Sequence, residues 1–303
     1  MSRTLFAAVS AVVLAVAAPR RAEAELTLDT FVAGAEGFHV TSTLILGAKD
    51  AVLVDAQFTA SEAHRLVAKI LESKRTLKIV YITHAHPDHL FGLAVIKQAF
   101  PKARLYAAPA VVKEMRAISG QKFKQYAPMY GANLLKPVLP SSYKQATIDL
   151  EGNVIDLISM EPGESAAAVI VSVPSAKAVV AGDIVYNGVH PWMAETTAER
   201  RAGWLRNLDK IKALSPTLVI AGHRAPNAKG DAIAAVDFTI GYVKDYDKSL
   251  ADSKTADELK KRVMSNPKYK DLALPIIVDI AAGAAFPTLT PPAPSQTVPA
   301  TKK

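Results

Sequence analysis

The chain contains no cysteine. That absence excludes disulfide bonds, a thiolate metal ligand, a thiol nucleophile and an N-terminal cysteine carrying a lipid. It also has no dense basic patch with interleaved aromatics. The formal net charge is +8, yet nucleic acid is not the expected partner. Part of that charge sits in the N-terminal segment and in Lys302-Lys303. The rest is diffuse, and its ordinary meaning is solubility. No internal repeat is visible. The apolar run from Leu5 to Ala18 is too short for a comfortable membrane span.

What is present is 303 residues, of which 50% are hydrophobic. That supports a sizeable core and one large or two small domains. Residues 1–24 read as a secretory signal: Arg3 opens it, the apolar run follows, and Ala22-Glu23-Ala24 fits the small-x-small cleavage pattern. The mature chain is then expected to begin near Glu25, in the periplasm or outside the cell, with no stable membrane insertion after cleavage. Arg20 and Arg21, just before the cut, keep a retained N-terminal anchor open as the alternative. From Pro287 onward the chain is rich in proline and threonine without periodicity, so 287–303 reads as a disordered tail. The folded domain is expected over 25–286.

The stretch Thr83-His84-Ala85-His86-Pro87-Asp88-His89 crowds three of the seven histidines and a carboxylate into one segment. It follows the buried-strand pattern Leu77–Ile82 and precedes the helix-like run Leu90–Lys97. Spaced two apart, His84 and His86 point the same way on an extended segment. Pro87 argues against a helix through the histidines and for a turn. A strand-to-helix loop is where α/β proteins place chemistry. Neutral imidazole is the commonest zinc ligand, and carboxylate is the next choice where thiolate is absent. The loop is therefore read as a metal site.

The rest of the domain alternates strand and helix patterns. Phe38–Leu46 and Ala51–Asp55 read as strands joined by a turn at 47–50. A helix opens at Ser61, with Leu66, Val67, Ile70 and Leu71 apolar and His64 on its surface. His39 reads as structural or as part of a flap. Arg104–Ala108 reads as a short strand, with a helix from Pro109. Gly120–Ser142 carries no motif and reads as a lid or helical insertion. Strands are expected at 147–150, 154–160, 167–173, 178–186 and 217–223, with helices at 198–214 and 231–264. The loop Tyr186-Asn187-Gly188-Val189-His190-Pro191-Trp192 suits a pocket wall, making Tyr186, Asn187, His190 and Trp192 candidate substrate contacts. For His190, a hydrogen bond to backbone is an equal alternative.

His84-x-His86-x-Asp88-His89 after a strand resembles the signature of the metallo-β-lactamase superfamily. The resemblance implies an α/β fold, a four-layer αββα sandwich with one or two metals at one end of its sheets. It assigns His84, His86 and Glu164 to one metal, and Asp88, His89 and His223 to the other, with Asp183 bridging them. Asp55 would support the loop from behind, against the bland reading of an ordinary strand-end aspartate. The segment Glu161-Pro162-Gly163-Glu164 departs from the family, which usually has a histidine in the place of Glu164. A glutamate ligand there would lower the Lewis acidity of its metal and shift preference from zinc toward manganese or iron. The alternative, a Glu164 that does not bind and a weak first site, stays open. The function implied is an exported, metal-dependent hydrolase of a small ester, lactone or amide, with two Zn2+ ions and a metal-bound hydroxide, Asp88 orienting the nucleophile or passing its proton. Two other readings stand beside it: an iron-dependent redox enzyme on the same fold, and a metal-binding protein without catalysis. β-Lactam hydrolysis falls within the first.

Overall fold

The computed structural model describes residues 25–228, 230 and 232–287. The signal reading of 1–24 and the tail beyond Pro287 lie outside the described residues. The first half runs β1 (Thr27–Val32), β2 (Thr41–Leu46), β3 (Asp50–Val54), α1 (Ala60–Glu72), β4 (Thr76–Ile82), α2 (Pro87–Leu90), α3 (Leu93–Ala99), β5 (Arg104–Ala107), α4 (Pro109–Tyr130) and β6 (Ser141–Ser142). Its strands form one sheet in sequence order, antiparallel from β1 to β3 and parallel from β3 to β6. The second half runs β7 (Thr147–Leu150), β8 (Asn153–Ser159), β9 (Val169–Val173), β10 (Ala178–Val180), β11 (Tyr186–Asn187), α5 (Ala198–Ala213), β12 (Leu218–Ile220), β13 (His223–Arg224), α6 (Ile233–Ala251), α7 (Ala256–Met264) and α8 (Ile276–Ala285). It makes a second sheet in the order β12-β10-β9-β8-β7. β11 and β13 pair separately, with Tyr186 beside His223.

The layering follows from side-chain alternation. Adjacent residues on a strand point to opposite faces, and in both sheets both faces are apolar. Ile45, Val52 and Val54 face Ile155, Val171 and Val180 between the sheets. Their neighbours Leu44 and Leu53 face the other way, onto Leu66 and Ile70 of α1, Ile96 of α3 and Met115 of α4. On the far side, Ile170, Val179 and Val219 meet Trp204 and Leu208 of α5, Val236 of α6, Leu259 of α7 and Val278 of α8. Three cores separate four layers, helices, sheet, sheet, helices, which is the αββα sandwich the sequence implied. Strands covered on both faces read as continuous apolar runs, as in the fully buried Val169–Val173.

Several local expectations are revised. Pro87 does not exclude a helix at the histidines: it opens the one-turn α2, which carries Asp88 and His89. Proline lacks the N–H that the first helical residue leaves unbonded, so it is favoured there. Phe38 and His39 are not strand: both have left-handed backbone, φ 57° and 55°, and the His39 ring donates to Ala33 O at 3.2 Å. Asp183 does not end a strand, since β10 stops at Val180 and residues 182–184 form a tight turn. Gly120–Ser142 is not a separate insertion: α4 runs through Gly120 to Tyr130 before the chain reaches β6. The apolar helix α8 has no counterpart among the sequence expectations.

His190 belongs to this fold rather than to a pocket wall. It is fully buried, with its Nδ1 2.9 Å from the Tyr242 hydroxyl of α6 and its Nε2 without a partner. Burial pushes its pKa down to about 4. The unfolded chain therefore takes up a proton that the folded protein refuses between about pH 6.5 and pH 4. Stability is whole above that window and falls through it by roughly 1.4 kcal/mol per pH unit from this group. Urea unfolding of wild type and His190→Asn at pH 7 and pH 5 checks the sign. The wild type should lose more stability than the variant over that interval, and equal losses would remove His190 as the cause.

Candidate metal centre

The site lies where loops of the two sheets meet. The extended residues after β4 are fastened to the second sheet by Val169 N donating to Thr83 O at 2.9 Å, and by a bridge between His84 and Ala168. The second sheet's loop is fastened back by Thr41 N donating to Gly222 O at 2.8 Å and by a bridge between Val40 and His223. A Cβ on Gly222 would stand 2.1 Å from Asp183 Oδ1. Only a glycine lets that carboxylate sit against the chain there.

One nitrogen of each of four imidazoles faces the same buried acids. His84 Nε2 is 3.4 Å from Asp183 Oδ2, and His86 Nδ1 is 3.5 Å from the same atom and 3.3 Å from Glu164 Oε1. His89 Nε2 is 3.0 Å from Asp183 Oδ1. His223 Nε2 is 3.3 Å from Asp183 Oδ2 and 3.4 Å from Asp88 Oδ2.

The other nitrogen of each ring is held from behind, and that fixes the tautomer. His84 Nδ1 donates to Thr83 Oγ1 at 2.9 Å, since that hydroxyl spends its own proton on Asp55. His89 Nδ1 donates to Asp55 Oδ2 at 2.8 Å, and His223 Nδ1 to Phe38 O at 2.7 Å. His86 Nε2 faces Glu195 Oε2 at 3.5 Å. With outer protons committed to acceptors, the inner nitrogens are the atoms a metal would meet; burial lowers the pKa of His86, His89 and His223, but the facing carboxylates prevail and raise it.

The residues fit a metal. Glu164 is fully buried, and neither of its carboxylate oxygens has a hydrogen-bond partner; Asp183 Oδ1 and His84 Nε2 are likewise buried without one. Burial pushes the Glu164 carboxyl well above its ordinary range, only partly offset by His86. For Asp183, burial works the same way, but His223, His89 and His84 outweigh it and hold the carboxylate well below its range. On His84, burial prevails over Asp183 and lowers the pKa, which favours the neutral ring. A buried carboxylate with no donor is costly unless it binds a cation or a proton. Two donor groups result: His84, His86, Glu164 and Asp183 in one, and Asp88, His89 and His223 in the other. Asp55 also lies within reach of His84 and His89, but its oxygens already accept from Thr83 and from the outer nitrogen of His89. It is a support.

Every donor residue named from the sequence is thus brought together, and Asp55 lies behind the loop. The substrate-wall candidates divide. Tyr186 donates to Asp183 Oδ2 at 3.0 Å and stacks on His223, rings 5.3 Å apart and 5° from parallel. Asn187 instead donates its side-chain amide to Gly230 O at 2.8 Å. Trp192 packs half-buried against the helical core, and His190 is turned into that core, bonded to Tyr242. Three residues have roles that the sequence reading does not assign. Thr83 links His84 to Asp55. Glu195 stands behind His86. Tyr126 of α4 is a phenol pushed up by burial, then by the charges of Asp88 and Glu195. An acid in the loop after Asp183, at the same end of the sheet, is the available signal for Glu195.

No curated protein sequence matches the chain. Solved structures do. A metallo-beta-lactamase family protein from Thermus thermophilus aligns with TM-score 0.60 and 19% identity, over 86% of this chain and 91% of that one. The metallo-beta-lactamase from Pontibacter korlensis aligns with TM-score 0.53 and 15% identity, over 74% and 97%. The DIM-1 metallo-beta-lactamase, in a crystal exposed to ceftazidime, gives 0.53 and 19%, over 74% and 95%. At these identities the likeness is one of fold. The family model for the metallo-beta-lactamase superfamily matches residues 35–223, an interval that spans Asp55 and ends on His223. By that match the chain belongs to the metallo-beta-lactamase superfamily.

Proposed function

We propose that the protein is a metal-dependent hydrolase of a small ester, lactone or amide. The observation that carries this reading is the set of four imidazoles held from outside, with their free nitrogens turned toward Asp183, Glu164 and Asp88. His84, His86 and Glu164 would hold one ion, Asp88, His89 and His223 a second, and Asp183 would lie between them. Glu164 takes the place where the family usually has histidine. Ions in this set supply Lewis acidity toward a substrate oxygen and an acidified water.

The chain's own residues divide the remaining work. Asp183 and Glu164 are buried, whereas Asp88 is partly open to solvent. Asp88 is therefore the carboxylate placed to orient an attacking water and accept its proton. The Tyr186 hydroxyl and the Gly222 backbone fix the Asp183 carboxylate, so it does not turn away during turnover. Zinc is the expected metal. Because Glu164 is an oxygen donor in an otherwise histidine-rich corner, iron or manganese is the second reading, and iron with oxygen-dependent turnover would favour a redox enzyme.

His86→Ala should lose metal and nearly all hydrolysis while keeping its circular dichroism, because the three cores lie elsewhere. The loss should exceed the about 10- to 100-fold that removal of an outer partner costs. Elemental analysis and a panel of esters, lactones and β-lactams read both, and unchanged stoichiometry would sink the assignment. Glu164→Gln keeps the size and removes the charge, so one metal should bind more weakly. Equal affinity in both proteins would take Glu164 out of the donor set. Export is part of the same proposal and rests on Ala22-Glu23-Ala24. N-terminal sequencing of periplasmic material should begin at Glu25, and a membrane-bound product starting at Met1 would contradict cleavage.

A further inference from the structure

The corner around His86 is built by more of the chain than the donor set requires. Glu195 comes from the loop between β11 and α5, and its carboxylate reaches two partners at once. Oε2 is 3.5 Å from His86 Nε2, and Oε1 accepts from Lys122 Nζ of α4 at 2.6 Å.

Arg200, in the first turn of α5, fastens the two loops that meet at His86. Its guanidinium donates to Gly163 O at 2.8 Å, to Glu164 O at 2.5 Å and to Glu195 O at 2.5 Å. One side chain thus sets the backbone of both glutamates. Glu164 approaches the inner nitrogen of the His86 ring and Glu195 the outer one.

We propose that Glu195 is a positioning residue for the metal centre, holding His86 through Nε2 so that Nδ1 stays turned toward Glu164 and Asp183, with Lys122 making α4 part of the same support. This rests on the reading above that His86 is a metal donor. The imidazole has two ways to face a metal, and an oxygen acceptor on Nε2–H selects Nδ1 as the lone pair. It also raises the basicity of that lone pair. A missing acceptor leaves the ring free to turn or to exchange its proton. Lys122 keeps the Glu195 carboxylate from swinging into solvent, since the side chain is more than a third exposed (37%). Tyr126, one turn further along α4, lies in the field of both Asp88 and Glu195, so the same helix covers the site.

Competitive titration of metal-stripped protein with zinc against a chelator, and the visible spectrum of the cobalt-loaded protein, test this without reference to turnover. Glu195→Ala should bind about 10- to 100-fold more weakly than wild type and shift the cobalt bands, while its metal-free form unfolds at the wild-type urea concentration. Glu195→Gln, which retains an oxygen acceptor, should recover most of the affinity. Lys122→Met should fall between wild type and Glu195→Ala. Wild-type affinity with an unchanged cobalt spectrum in Glu195→Ala would overturn the role. So would Glu195→Gln as weak as Glu195→Ala, which would make the effect one of charge alone. A wild-type protein that takes up neither metal would overturn the metal reading and this one together, whereas wild-type uptake with an indifferent Glu195→Ala overturns only this one.

Discussion

Asp55 is the point from which the centre is held. Its carboxylate accepts from Thr83 N at 2.9 Å, from Thr83 Oγ1 and from His89 Nδ1 at 2.8 Å. Those three bonds align two metal-facing rings, one through Thr83 and one directly. To reach them, Asp55 leaves β3 with left-handed backbone, φ 61°, a conformation that short polar side chains tolerate better than most. A buried carboxylate that receives three donors is stabilised where a buried one without donors is not. Glu164 contrasts with it: neither of its oxygens has a hydrogen-bond partner, which marks a candidate donor rather than a support.

The sandwich exists, in this light, to bring such pairs face to face. The three apolar cores need only surface complementarity and tolerate substitution at fixed volume. The loops do not, because each carries a bond to the opposite sheet: Val169 to Thr83, Thr41 to Gly222. Rigid strands deliver the loops and the loops deliver the chemistry.

The metal loop is legible in sequence because four of its donors sit within six residues, and the sandwich because its strands read as apolar runs between helix patterns. Glu164, Asp183 and His223 are each isolated in sequence, and only a family resemblance selects them. The errors have local causes. Pro87 reads as a proline in a helix interior, but it stands at a helix start. His190 lies in a loop of polar and aromatic residues, and its direction is decided by Tyr242, 52 residues further on. Glu195 has only its place in the loop after Asp183 to mark it, for the same reason: its partners His86 and Lys122 are supplied by the other half of the chain.

The donor groups draw on residues from position 84 to position 223 and on both sheets. A chain still emerging in sequence order presents His84, His86 and His89 long before Asp183 and His223 follow. A cation met at that stage finds imidazoles without Asp183 between them and without Glu195 behind His86. The full donor set is assembled only when the two halves have docked across the Val40–His223 bridge. An ion held by this set would then seal a finished fold rather than nucleate it.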